Sequence, residues 1–261
     1  ASSAFKSSVF SRGEPLLSNR LDISSDIDYT FSCCDSLASI KVASGNKVYH
    51  SSGNCLIHTE TKRLILGCKN SVIPNDGSVT VIEEGAFFRC FSLCKISIPN
   101  SVKVIGDGAF GYCDSLRSIV MPKSVTYIYF NAFKHCSKLK NVEIRGRLTY
   151  IGEEAFSGCA SLEQINIPDS VESIGHYAFF GCGLDSVIVP EGVRSVGEHA
   201  FDCYLSENFK IYCRAKKQPA GWHKDWNKGA KTVISTIKSK LFDNEDAKFS
   251  GRYKTVWNYK G

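Results

Sequence analysis

Three sets of residues in this chain are of a kind that does chemistry. Gly106-Asp107-Gly108-Ala109-Phe110-Gly111 spells G-x-G-x-x-G, the glycine pattern of turns that hold a dinucleotide's pyrophosphate. Twelve cysteines and six histidines offer thiolate and imidazole for metal binding or nucleophilic attack. Glu83-Glu84 and Glu153-Glu154 are adjacent carboxylates. A G-x-S-x-G elbow, a Walker A loop and a C-x-x-C pair are all missing from the sequence. His50, His58, His135, His176, His199 and His223 are scattered. No catalytic, cofactor-binding or metal-ligating residue is therefore assigned, and the chain is expected not to be an enzyme.

The elements that must carry these residues explain most of them. Ala-Phe recurs at 86–87, 109–110, 132–133, 155–156, 178–179 and 200–201, a period of 23 residues with one step of 22. The unit reads L-x-x-I-x-I-P-x-x-V-x-x-I-G-x-x-A-F-x-x-C-x-x. Fixed self-similarity at this spacing signals stacked coils. I-x-I alternation predicts a short strand with one face inward. Proline, which donates no N–H, ends it; five of the seven prolines occupy that slot. The V-x-x-I pair follows as a turn directed inward, and G-x-x-A-F-x-x-C as a turn or short helix. Acids after the glycine slot (Glu84, Asp107, Glu153, Glu198) suit the positive end of such a helix. One unit cannot bury its apolar face alone, so the expected fold is an α/β repeat solenoid of about seven units, with one strand per coil in a parallel sheet.

In this frame Gly106 is repeat punctuation, shared with Gly152, Gly175 and Gly197, and Gly108 stands in a variable slot. Cys90, Cys113, Cys136, Cys159 and Cys182 follow the period, Cys34 joins by alignment, and Cys203 is one residue off. Such a column is expected to pack as buried thiols. Any disulfide is expected first among the off-column Cys33, Cys55, Cys68, Cys94 and Cys213.

Three regions frame the array: a Ser-rich segment at 1–26, repeats at 27–215, and a cap or tail at 216–261. Residues 44–72 break the pattern and read as a hairpin about Thr59-Glu60-Thr61-Lys62. Residues 204–261 hold 13 Lys and Arg against five acids. All three tryptophans, Trp222, Trp226 and Trp257, lie there and are read as a plug for the open end of the stack. A basic, aromatic tail also leaves room for an anionic polymer or nucleic acid. No apolar run is long enough to span a bilayer, and no signal peptide opens the chain.

Between the two inward positions of each strand one side chain points out. That column reads Lys41, Ser97, Val120, Glu143, Asn166, Ile188 and Lys210. Two residues earlier stand Lys95, Ser118, Asn141, Gln164 and Ser186. These residues form the candidate ligand-binding concave face, for a protein or a glycan.

The unit IPDSVESIGHYAFFGC (167–182) closely resembles the BspA-like leucine-rich repeat of bacterial surface proteins. GNKVYHSSGNCLIHTETKRLILGCKNSVIPNDGSVTVIEEGAF (45–87) is similar to the degenerate hairpin unit of many of them, and IYCRAKKQPAGWHKDWN (211–227) to their closing segment. Arg145 and Tyr129 depart from the pattern at the proline and glycine slots. The resemblance implies a leucine-rich-repeat stack with its short parallel sheet on the concave side. It also implies a secreted or cell-surface protein that binds host or microbial partners without catalysis, and it supplies no family-wide binding residues. An intracellular interaction scaffold with free thiols is the alternative.

Overall fold

The computed structural model describes residue 35, residues 37–206, 209–215 and 217–227, and the backbone of 232–235. The chain enters the stack through an antiparallel meander of β1 (Tyr49–Ser52), β2 (Cys55–His58) and β3 (Arg63–Leu66). The turn at 59–62 links β2 to β3, with Lys62 at φ +55° closing it. From β3 onward every neighbour in this sheet is parallel.

The strands that continue this sheet are the V-x-x-I pairs: β4 (Val81–Ile82), β5 (Val104–Ile105), β7 (Tyr127–Ile128), β9 (Tyr150–Ile151), β10 (Ser173–Ile174), β12 (Ser195–Val196) and β14 (Gly221–Trp222). With the meander they form one ten-stranded sheet. The I-x-I segments supply the second row: β6 (Ser118–Met121), β8 (Asn141–Ile144), β11 (Ser186–Val189), β13 (Lys210–Cys213) and β15 (Thr232–Ser235). That row is broken into a pair, β6-β8, and a triplet, β11-β13-β15. The expectation of one strand per coil is thus corrected to two where both segments pair, and the I-x-I segments at 95–98 and 164–167 form no strand. A two-residue strand shows no alternation, so the V-x-x-I pair reads as a turn until its neighbours are stacked beside it.

The described residues contain no helix, so the helical part of the α/β expectation is not supported. The G-x-x-A-F-x-x-C segment explains this. Two positions in it take left-handed φ: Gly85, Gly108, Asn131, Glu154, Tyr177 and His199 in one column, and Arg89, Tyr112, His135, Gly158 and Gly181 in the other. Left-handed φ turns an N–H out of its own coil. Gly108 donates to Phe130, Glu154 to His176, and Tyr177 to Glu198, at 2.8–2.9 Å. Tyr112, His135 and Gly158 donate to the next coil at 2.7 Å. Between these positions the phenylalanine amides also reach the next coil, as Phe87 to Ala109 and Phe110 to Ala132 (both 2.8 Å), while others close i to i−3 turns, as Phe88 to Gly85 and Gly111 to Gly108 (both 2.9 Å). Hydrogen bonds that a helix would keep within itself thus run from coil to coil.

Two columns run side by side within the core. Phe87, Phe110, Phe133, Phe156, Phe179 and Phe201 are buried and stack in sequence, with centroids 5.0–5.5 Å apart. Beside them Cys113, Cys136, Cys159, Cys182 and Cys203 each donate Sγ–H to the phenylalanine carbonyl of the preceding coil at 3.1–3.2 Å. Cys203 holds this place although its spacing is short by one. The ten described cysteines are free thiols, and only Cys94 is exposed.

The glycine slot is set by distance between coils. A Cβ on Gly175 would stand 2.4 Å from the Glu153 nitrogen, and one on Gly197 2.3 Å from the His176 nitrogen. Tyr129 occupies the same slot in its coil, and its N–H reaches the Ile105 carbonyl at 3.3 Å, where Gly106, Gly152, Gly175 and Gly197 make that bond at 2.8–2.9 Å. Glu83 and His223 carry side chains in the same slot and still make the bond at 2.9 and 2.8 Å, so the longer bond belongs to the Tyr129 coil alone.

Candidate recognition face

The G-x-G-x-x-G amides are already bonded. Gly106 donates to Ile82, Gly108 to Phe130, Phe110 to Ala132, and Ala109 and Gly111 to carbonyls of their own turn. A phosphate cradle needs such donors free and convergent, so this match is spent on stacking.

The outward residues of the I-x-I segments lie along one face. Lys41, Lys95, Ser97, Ser118, Asn141, Glu143, Gln164, Asn166 and Lys210 are exposed, and Val120, Ser186 and Ile188 are half-buried. The row is interrupted at 164–167. There Ile165 and Ile167 still point inward and are buried, but no main-chain hydrogen bond joins 164–167 to β8 or β11. An opening of about 430 Å³ lies over this coil, lined by Asn141, Val142, Glu143, Gln164, Ile165, Asn166, Ser186, Val187 and Ile188. The structure thus brings six of the twelve sequence-selected residues around one hollow and leaves Lys41, Lys95, Ser97, Ser118, Val120 and Lys210 outside it.

Charges fringe the opening. Arg145 grips Glu143 with two hydrogen bonds of 2.6 and 3.1 Å, which hold the Glu143 carboxyl below its usual range. Lys140 pairs with Glu163 at 3.2 Å, and Arg214 with Asp169 at 2.6 Å. Arg145 stands in a proline slot, so a departure from the repeat supplies the cation for Glu143.

At the far end, Trp222 and Trp226 are buried. Trp226 meets Phe201 edge-on at 6.0 Å, and Trp222 donates Nε1–H to the Val193 carbonyl at 3.1 Å. Trp257 and the basic stretch beyond 235 lie outside the described residues. Nearby, ligand atoms of Glu198, His223 and Asp225 come within 4.8 Å of one another. This is the one group among the described residues that could converge on a cation. Glu198 is separated from the other two in sequence, and no close spacing announces the cluster.

A second hollow, of about 340 Å³, opens on the turn face around His135, Tyr177, Phe180 and Tyr204. The sequence reading missed it, because it depends on how His135 and Tyr204 lie over Gly158 and Gly181 of neighbouring coils.

Six copies of a BspA type leucine rich repeat region match the chain over residues 66–168 and 128–219. No curated protein matches its sequence. Among solved structures, the chain is similar to a leucine rich cell surface protein of Faecalibacterium prausnitzii A2-165 (28% identity, TM-score 0.51, 68% of this chain and 48% of that one). It is also similar to the T. pallidum leucine rich repeat protein (30%, TM-score 0.52, 67% and 86%). A leucine-rich repeat protein from Eubacterium ventriosum shares the fold (22%, TM-score 0.61, 83% and 58%). The chain spans about half the length of the first of these and under two thirds of the last.

Proposed function

The chain belongs to the BspA-type leucine-rich-repeat family, and from that premise we propose that it is a non-enzymatic recognition protein, secreted or held at a cell surface, that grips a protein partner with the face of its four-residue strands. The observation that carries this reading is the break at 164–167. A continuous sheet face presents side chains only. Here the main-chain groups of Gln164 to Ile167 are unclaimed by neighbouring strands, beside exposed Asn141, Gln164 and Asn166 amides and the half-buried Ile188. Polar groups around a partly apolar floor are the composition of a specific contact patch. The cell-surface assignment draws on the Faecalibacterium relative, itself a cell surface protein.

The test has two arms. Protease shaving of intact source cells is expected to release peptides of this chain, and partners captured on the purified protein are expected to be lost with Glu143→Lys combined with Asn166→Arg. Peptides seen only after lysis would overturn the surface assignment. Unchanged capture by the double variant would overturn the site. The intracellular scaffold keeps one observation in its favour, the column of free thiols, and release only on lysis would favour it.

A further inference from the structure

We propose that the turn-face hollow around Tyr204 is a subsite for one or two sugar rings, separate from the strand face. The reasoning starts from the two left-handed columns. Over the first coils bulk sits in the second column: the Arg89 guanidinium lies 5.5 Å from the Tyr112 ring centre, and Tyr112 packs on His135 at 4.8 Å. The first column there holds Gly85 and Gly108. At the next two coils the assignment reverses. The first column holds Glu154 and Tyr177, at φ +53° and +54°, and the second holds Gly158 and Gly181. The row of side chains therefore stops at His135, and a hollow opens beyond it. The glycines let rings of neighbouring coils lie against the backbone and wall the hollow: a Cβ at Gly158 would stand 2.4 Å from His135 Nδ1, and one at Gly181 3.1 Å from Tyr204 Oη.

The lining decides the ligand class. Phe180 meets Tyr177 edge-on at 5.6 Å and Tyr204 at 5.4 Å, and Tyr204 is 61% exposed. The same hollow is lined by the Lys134–Glu154 ion pair and by Ser157. A pyranose has this same duality, an apolar C–H face for an aromatic ring and a rim of hydroxyls for charged and hydroxyl partners. An opening near 340 Å³ sits at the small end of ligand pockets, about 300–1,000 Å³. That admits one or two rings and not a folded partner. The site lies on the turns, so it stands whether or not the strand-face reading does.

The test is saturation-transfer NMR of the whole chain with a panel of methyl glycosides of the common hexoses and N-acetylhexosamines. At least one is expected to receive saturation at its ring protons. Tyr204→Ala should weaken that binding roughly fivefold, the scale of one lost aromatic contact, and Lys134→Ala should weaken it too. Asn166→Ala should leave it unchanged. Tyr204→Ala removes a mostly exposed ring, and an unchanged thermal midpoint would confirm that it folds. No saturation of any glycoside, saturation undiminished in Tyr204→Ala, or saturation lost in Asn166→Ala would each overturn the proposal.

Discussion

A thiol surrounded by apolar side chains keeps its proton, because the thiolate would lose its hydration. Burial pushes Cys136 from 9.0 up to about 12 and Cys113 and Cys159 well up as well, with neighbouring thiols of the column adding to the latter two. Two consequences follow at the scale of the residue. In the native protein a thiolate-selective reagent should modify exposed Cys94 and leave Cys113, Cys136, Cys159, Cys182 and Cys203 untouched until denaturant is added; mass mapping of the labelled peptides checks this. The second concerns pH. A thiol whose folded value is raised binds more protons folded than unfolded between about pH 9 and pH 12, so stability is intact below pH 9 and falls as pH rises. The slope is roughly 1.4 kcal/mol per pH unit for each thiol still protonated in the fold. A thermal midpoint that declines above pH 9 in the wild type, and less steeply in Cys136→Ala, is the expected record. A midpoint flat to pH 11 would show that the column titrates as free solvent thiols.

At the scale of the element, the glycine slot separates what spacing reveals from what only stacking reveals. The recurrence of Gly106, Gly152, Gly175 and Gly197 is plain in the sequence, but their φ is ordinary. Their reason is the backbone of the adjacent coil, 2.3–2.8 Å from a Cβ. Gly175→Ala puts a methyl 2.4 Å from the Glu153 nitrogen, and the shift that relieves it costs about 1–3 kcal/mol, which lowers the melting midpoint by roughly 2–4 °C per kcal/mol in a chain of this size. Calorimetry of that single variant measures it, and an unchanged midpoint would mean that the coils slide freely. The repeat, the inward columns and the outward strand residues were legible because each is a side chain at a fixed period. The rest was not. The V-x-x-I strands are too short to alternate, and the turns imitate a helix start until left-handed φ is known. The strand row fails at 164–167 although QINI is as good a strand sequence as the NVEI of β8. The turn-face hollow is invisible because it depends on how His135 and Tyr204 lie over Gly158 and Gly181 of neighbouring coils, which no spacing shows.

At the scale of the molecule, each coil packs and hydrogen-bonds chiefly with its neighbours, so stability is close to a chain of local terms and the ends are the weak points. The phenylalanine column makes this concrete. Every inner ring is covered on both faces by another ring at 5.0–5.5 Å, while Phe201 has Phe179 on one side and the edge of Trp226 on the other. Trp226 is fully buried, packs on Trp222 at 4.6 Å, and its carbonyl accepts the Phe201 N–H at 3.1 Å. Trp226→Ala removes a cover worth about 3–5 kcal/mol, and the loss should stay where it is made. Hydrogen exchange is expected to quicken at the amides of His199 and Phe201, whose acceptors are Asp225 and Trp226, and to fade coil by coil toward Phe87 and Phe110. Exchange that rose equally along the whole column would mean that the coils unfold as one unit. The strand-face break at 164–167 would then be coupled to the far end of the stack, and a partner bound there would stabilise every coil at once. The nearest-neighbour geometry of these hydrogen bonds predicts the graded outcome.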